Sequence, residues 1–201
     1  FFETDRFTCF RAGKTGEYGY DLLVPRAHLS AVREQILDVG RAFELRVASR
    51  DTIDLCALEA GFFNVRHEVR PGMTPVELQL QWRVTAGRVP GLARHRPTQR
   101  CVTFAAPGPL VPDADVELAG AGVGRVLHAR FSPTRGEYLG IALVDIGVAY
   151  AGLRGFRAGE TPLRTIASPA VNNRSLYVDP QRHTFSSRDT TAWPPLVRGV
   201  P

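Results

Sequence analysis

Glu17 stands between two glycines and beside two tyrosines, in the run Gly16-Glu17-Tyr18-Gly19-Tyr20-Asp21-Leu22. One carboxylate can accept two parallel N–H donors at once, which gives a bidentate, charge-assisted pair. The glycines allow the backbone to turn tightly around it. Tyr18 and Tyr20 straddle Gly19, and strand alternation puts both rings on one side. A tyrosine there can lie against the face of a planar ligand or pack into a core. The same spacing also suits a solvated carboxylate in a hairpin turn. A second acidic group lies in Leu58-Glu59-Ala60-Gly61, where Glu59 reads as a structural carboxylate bonding backbone at a helix end. His128 sits in a strand-like stretch, either as an acid–base imidazole or as a satisfied structural histidine.

Other chemistries find no support. His67-Glu68 lacks a second histidine four residues after the first, which excludes a zincin site. Gly120-Ala121-Gly122-Val123-Gly124 is followed by a strand-like stretch and not a helix, so it reads as a β-turn and not a dinucleotide loop. Three cysteines, Cys9, Cys56 and Cys101, form no Cys-x-x-Cys clip, so no metal site and no disulfide framework is expected. A reducing cytoplasm is the expected compartment. The net charge is +5, but Lys14 is the one lysine and the arginines are spread along the whole chain. A nucleic-acid binder clusters its charge on one face, so no nucleic-acid partner is expected. No apolar run reaches the roughly 20 residues of a membrane-spanning helix, and no membrane association is expected. The chain opens on Phe1 and not Met, which leads us to expect a processed, cleaved or trimmed chain.

The elements around these residues follow from periodicity. Phe7 to Phe10 and Tyr20 to Val24 read as strands joined by the turn residues Gly13-Lys14-Thr15-Gly16. His28 to Val39 carries a helical pattern that Gly40 is expected to stop. Phe43 to Val47 reads as a short strand. Ser49-Arg50-Asp51-Thr52 is a helix-start signal for Ile53 to Ala60. Thr74-Pro75-Val76-Glu77 carries N-cap chemistry for another helix. Short strands are then expected over Arg100–Phe104, Asp115–Leu118, Gly124–Phe131, Tyr138–Val144 and Arg164–Ala167. The fold class is therefore α+β: an α+β region over 1–87, a linker over 88–99, a small antiparallel β-barrel or sandwich over 100–170, and an extended tail over 171–201. In the linker, His95 between Arg94 and Arg96 reads as solvated.

Taken in order, the Glu17 run, Leu58-Glu59-Ala60-Gly61, Thr74-Pro75-Val76-Glu77 and Trp82 form a series. Gly124 to Thr134 with Ser132-Pro133-Thr134, and then Ile141-Ala142-Leu143, continue it. The series resembles the C-terminal half of the glycine-cleavage T-protein family, the folate-binding aminomethyltransferases. The resemblance covers about Phe7 to Ala170. It implies a folate-binding α+β body followed by a β-domain, with tetrahydrofolate as cofactor and a small one-carbon donor as substrate. In the family the Glu of Thr-Gly-Glu-x-Gly holds the pterin edge, and Glu17 occupies that place. Tyr18 or Tyr20 would then lie near the ring. The family's arginines before Leu-Glu-Ala-Gly fall at Ile53 and Ala57, while Arg50-Asp51 stands three residues earlier. Arg50 is therefore the candidate partner of the folate carboxylates. The family's acid–base Asp lies in its first half, which no segment here matches, so the catalytic residue is unassigned. The expected partner is the missing N-terminal half or a second protein chain. Two functions remain open: part of a tetrahydrofolate-dependent aminomethyl or methyl transferase, or a catalytically inactive T-protein-like module that docks to a partner. The Lys-Gly-Cys-x-Gly-Gln signature of the family's iron–sulfur repair branch is absent.

Overall fold

The computed structural model describes residues 2–172, apart from 86, 87 and 90. The chain forms two compact units that divide between Ala57 and Leu58. The extended tail expected over 171–201 lies, from residue 173 on, outside the described residues.

In the first unit, β1 (Phe2–Glu3), β2 (Thr8–Arg11) and β3 (Tyr20–Leu23) make an antiparallel sheet in that order. Both strands expected from the sequence are present within two residues of their expected ends. After Pro25 and a 3-10 turn over Arg26–His28, α1 runs from Leu29 to Arg41. Gly40 does not stop α1. It lies buried in the last turn, where a Cβ would stand 2.6 Å from Leu45 Cβ. The stop comes from the chain folding back: the Gly40 carbonyl accepts N–H groups from both Phe43 and Leu45, each at 2.9 Å. That reversal also removes the strand expected over Phe43 to Val47, and Glu44 takes a φ of +56° within it. Helix α2 (Arg50–Glu59) starts as expected, with Ser49 Oγ accepting the Thr52 N–H at 3.1 Å.

The second unit begins at the end of α2. It continues through α3 (Val65–Glu68) and 3-10 turns at Gln81–Arg83 and Leu92–Arg94. Thr74 to Glu77 makes consecutive turns and no helix; Leu80 N–H closes on the Pro75 carbonyl at 2.7 Å, and Gln79 at φ +58° ends the run. Trp82 stands in the 3-10 turn over Gln81–Arg83 and is 71% exposed.

The rest of this unit is a closed antiparallel barrel. Its strands are β4 (Gln99–Ala106), β5 (Asp115–Leu118), β6 (Ala121–Ser132), β7 (Glu137–Asp145), β8 (Phe156–Ala158) and β9 (Thr161–Ile166). The order is β4-β7-β6-β5-β8-β9, and β9 returns to pair with β4. Closure leaves no free edge, so every strand can use its full ladder. Alternate residues of β4, namely Val102, Phe104 and Ala106, enter the barrel core beside Val116, Val126, Val144 and Phe156. The opposite face of β4 is buried too: Cys101 packs with Leu127 and Leu143, and Ala105 with Leu58, Leu139 and Ala170. Burial pushes the Cys101 thiol up to about 12, helped by the charges of Glu68 and Glu77 and opposed by Arg70. The α+β class with a small β-barrel is as the sequence predicts. Strand β8 was not expected; three residues are too few to show a period.

Candidate functional site

The hairpin loop between β2 and β3 presents the expected site residues. Glu17 is half-buried, and its N–H points to Thr15 Oγ1 at 3.4 Å. Tyr18 precedes β3 and is 43% exposed; Tyr20 opens β3 and is 70% exposed. Arg11, at the end of β2, lies over the Tyr18 ring with its guanidinium carbon 4.1 Å from the ring centroid. Lys14 and Asp21 form an ion pair at the same hairpin. A loop carboxylate flanked by exposed rings can meet a planar ligand bearing paired N–H donors. Sequence reading singled out Glu17, Tyr18 and Tyr20 and missed Arg11. The available signal was the hairpin register, which sets Arg11 opposite Tyr20.

Arg50 does not belong to that hairpin. It is the first residue of α2 and is exposed. Ala57, which stands where the family carries an arginine, is 1% exposed in this chain. A guanidinium has no place at such a position without a buried partner.

Glu59 has a more specific role than backbone capping. Its Oε1 accepts the Ser132 hydroxyl at 2.5 Å, and Ser132 is fully buried. The Glu59 carbonyl accepts the Val171 N–H at 2.8 Å. Gly61, at φ +65°, lies so close to Ser168 that a Cβ would stand 1.9 Å from its Oγ. The Leu-Glu-Ala-Gly and Ser-Pro-Thr runs, far apart in sequence, thus meet in one hydrogen bond.

His128 is buried, with 6% of its surface exposed. Its Nε2 accepts from Arg130 Nε at 3.1 Å, and its Nδ1 faces Glu68 Oε1 at 3.7 Å. The His67 ring stacks on it at 4.3 Å between centroids and 11° between planes. Glu68 is 2% exposed. This is a packed polar layer between α3 and β6, not an open acid–base site. Among the described residues, no group of three or more His, Cys, Asp or Glu side chains could hold a metal ion.

His95 is not solvated as expected. Its Nε2 bonds to Glu77 Oε1, and Glu77 Oε2 also accepts from the Thr74 N–H at 2.8 Å and hydroxyl at 2.5 Å. Burial raises the Glu77 carboxyl, but the bonds from Thr74 and His95 outweigh it and bring it down to about 2. A carboxylate lowered on folding contributes stability above its unfolded value of 4.5 and loses it as pH falls toward 2. Glu77→Gln should therefore flatten that acid limb by about 1–3 kcal/mol. Urea unfolding of both proteins at pH 6 and pH 3 measures this; an equal loss in both would contradict it.

The α+β unit and the barrel match a known architecture. A solved glycine cleavage system aminomethyltransferase T from Bartonella henselae superposes with a TM-score of 0.71 at 20% identity, over 83% of this chain and 50% of that one. Residues 2–88 match the family model described as the GCVT N-terminal domain. Curated aminomethyltransferases align as well. One from Caldanaerobacter subterraneus is 29% identical over 71% of this chain and 41% of its own length. One from Xanthomonas campestris is 27% identical over 81% and 46%. One from Thermotoga sp. is 27% identical over 69% and 40%. By these matches the chain is similar to the T-protein family. It spans about 40% of the length of the curated relatives it matches.

Proposed function

We propose that this chain is the portion of a tetrahydrofolate-dependent one-carbon transferase that reads the pterin, with Glu17 as the reading carboxylate. The observation that carries the reading is the hairpin itself: a half-buried Glu17 with Tyr18 and Tyr20 exposed beside it. A pterin presents an exocyclic amino group and an adjacent ring N–H in parallel, which suit one carboxylate. Tyr20, the more exposed ring, is the better placed to stack. Arg50 would serve the ligand's distal carboxylates, by charge and exposure. The reaction would be largely positional, holding a folate nitrogen against an aminomethyl or methyl donor. The acid–base group would come from outside residues 1–201. We place the protein in the cytoplasm, where folate cofactors and reduced thiols coexist; among the described residues, no helix is long and apolar enough to cross a membrane.

The test is turnover by the longest natural polypeptide that contains this sequence. It is incubated with tetrahydrofolate and aminomethyl or methylated-amine donors, and methylene- or methyl-tetrahydrofolate is followed. Product formation supports the transferase. Folate binding with no product from any donor contradicts it and favours the docking module.

The docking reading has its own support. Among the described residues of the first unit, Val32 and Ala57 are the buried apolar side chains. Tyr20, Leu23, Leu29 and Val39 are each more than half exposed. A surface of that kind marks an interaction site, and the partner would be another part of a longer T-protein-like polypeptide or a second protein chain. Residues 1–201 alone should accordingly bind an apolar fluorescent dye, and lose that binding in the longer polypeptide. A dye-silent, monomeric chain with one sharp melting transition would contradict the docking surface.

A further inference from the structure

We infer that residues 82–100 of the second unit form a docking surface for an acidic, carboxylate-rich segment of another protein chain, with Trp82 as its anchor. This surface does not rest on the folate reading.

Arginines are spread along the chain, but the uncompensated ones are not. Between Glu77 and Asp113 stand Arg83, Arg88, Arg94, Arg96 and Arg100, and no Asp or Glu. Those five equal the net charge of +5 of the whole chain, so the remainder is balanced. Four of them spring from one knot of hydrogen bonds. The Cys101 N–H donates to the Glu77 carbonyl at 2.8 Å, and Gln79 Nε2 donates to the Cys101 carbonyl at 2.8 Å. His95 bonds to the Glu77 carboxylate, and Trp82 Nε1 donates to the Gln79 carbonyl at 3.1 Å. Arg100 adjoins Cys101, Arg94 and Arg96 flank His95, and Arg83 follows Trp82.

The carboxylates bordering the segment are already engaged. Glu77 accepts from Thr74 and His95, Asp113 pairs with Arg70, and Asp145 accepts the Gln99 amide at 3.2 Å. Arg88 and Arg94 are exposed, and neither they nor Arg83 and Arg100 enter an ion pair among the described residues. Arg100 Nε is buried without a hydrogen-bond acceptor. Uncompensated positive charge of this kind attracts an anionic partner, and the guanidinium fork suits carboxylates. Trp82 is 71% exposed yet held in place. Its N–H is bonded, and the Arg83 guanidinium lies 4.6 Å from its ring centroid and 5.5 Å from that of Phe62. A fixed tryptophan among arginines has the composition of a protein-interface hot spot. An oligonucleotide site lines up successive rings for successive bases. Between 78 and 112 the other Phe, Tyr or Trp ring is Phe104, buried in the barrel.

The test is anisotropy titration of a labelled oligoglutamate peptide, and of a labelled oligouridylate of equal charge, with the longest natural polypeptide containing this sequence. The peptide should bind saturably and more tightly than the oligouridylate, and raising salt from about 50 to about 300 mM should weaken it about 10-fold or more. Arg88→Gln and Arg94→Gln should each weaken peptide binding by about 2- to 5-fold. Trp82→Ala, which removes no charge, should weaken it by about 5- to 30-fold. Arg157→Gln, on β8 where Arg157 pairs with Glu160, removes the same charge and should change it less than about 2-fold. No peptide binding, or an equal loss in Arg157→Gln, would overturn the docking surface. Unchanged binding in Trp82→Ala would remove its anchor and overturn it too. Tighter binding of the oligouridylate would assign the surface to nucleic acid and overturn the protein partner.

Discussion

Glu17→Gln should weaken tetrahydrofolate binding by about 30- to 1,000-fold, a loss on the order of 2–4 kcal/mol. The substitution keeps the size and shape of the side chain. It removes the charge and turns one acceptor oxygen into an N–H donor. Facing a ligand edge with two N–H groups, that donor meets another donor, and one buried hydrogen bond is lost outright. The loss exceeds a simple removal because the charged pair is also gone. The Ala12 N–H to Gly19 carbonyl bond and the Lys14–Asp21 ion pair also tie the two sides of this hairpin together, and the substitution leaves both in place. Thermal melting within a degree or two of wild type is the control. Equal affinity of the two proteins would remove Glu17 from the site.

The largest effect on stability should come from Phe104→Ala, at about 3–5 kcal/mol. Phe104 is 1% exposed and fills the barrel between Val102 and Ala106. Its ring rests on Gly140, where a Cβ would stand 2.3 Å from Phe104 Cζ. The strands around it are hydrogen-bonded in a closed ring, so they cannot move inward to fill the space. The cavity term is therefore kept nearly in full. Phe104→Leu replaces most of the volume and should cost clearly less, about 1–1.5 kcal/mol. Urea unfolding of the three proteins gives the comparison, and a loss under 1 kcal/mol for the alanine variant would contradict the packing described, given the range expected for such cavities.

The elements that sequence alone made legible are those whose stability is local. Strands β4 to β7 alternate apolar residues over enough positions to show their period, and Ser49 marks the start of α2 by its own side chain. The Glu17 hairpin was legible because glycines, a strand on each side and a family resemblance all coincide there. What was not legible depends on residues distant in sequence. Gly40 looked like a stop signal, yet it is the seat for Leu45, and that contact cancels a strand that Phe43 to Val47 favour by composition. His95 gave no hint of Glu77, eighteen positions earlier, because nothing local brings them together. Glu59 looked like a helix-end carboxylate; its partner Ser132 lies on a barrel strand. His128 could be flagged as unusual, but only the packing of α3 on β6 shows it buried against His67 and Glu68.

The most direct test of the central claim is calorimetric titration of tetrahydrofolate into the longest natural polypeptide and into residues 1–201 alone. The account predicts saturable binding to the longer polypeptide, one ligand per chain. Binding by the longer polypeptide alone would say that residues outside this sequence complete the pocket. No binding by either protein would contradict the account.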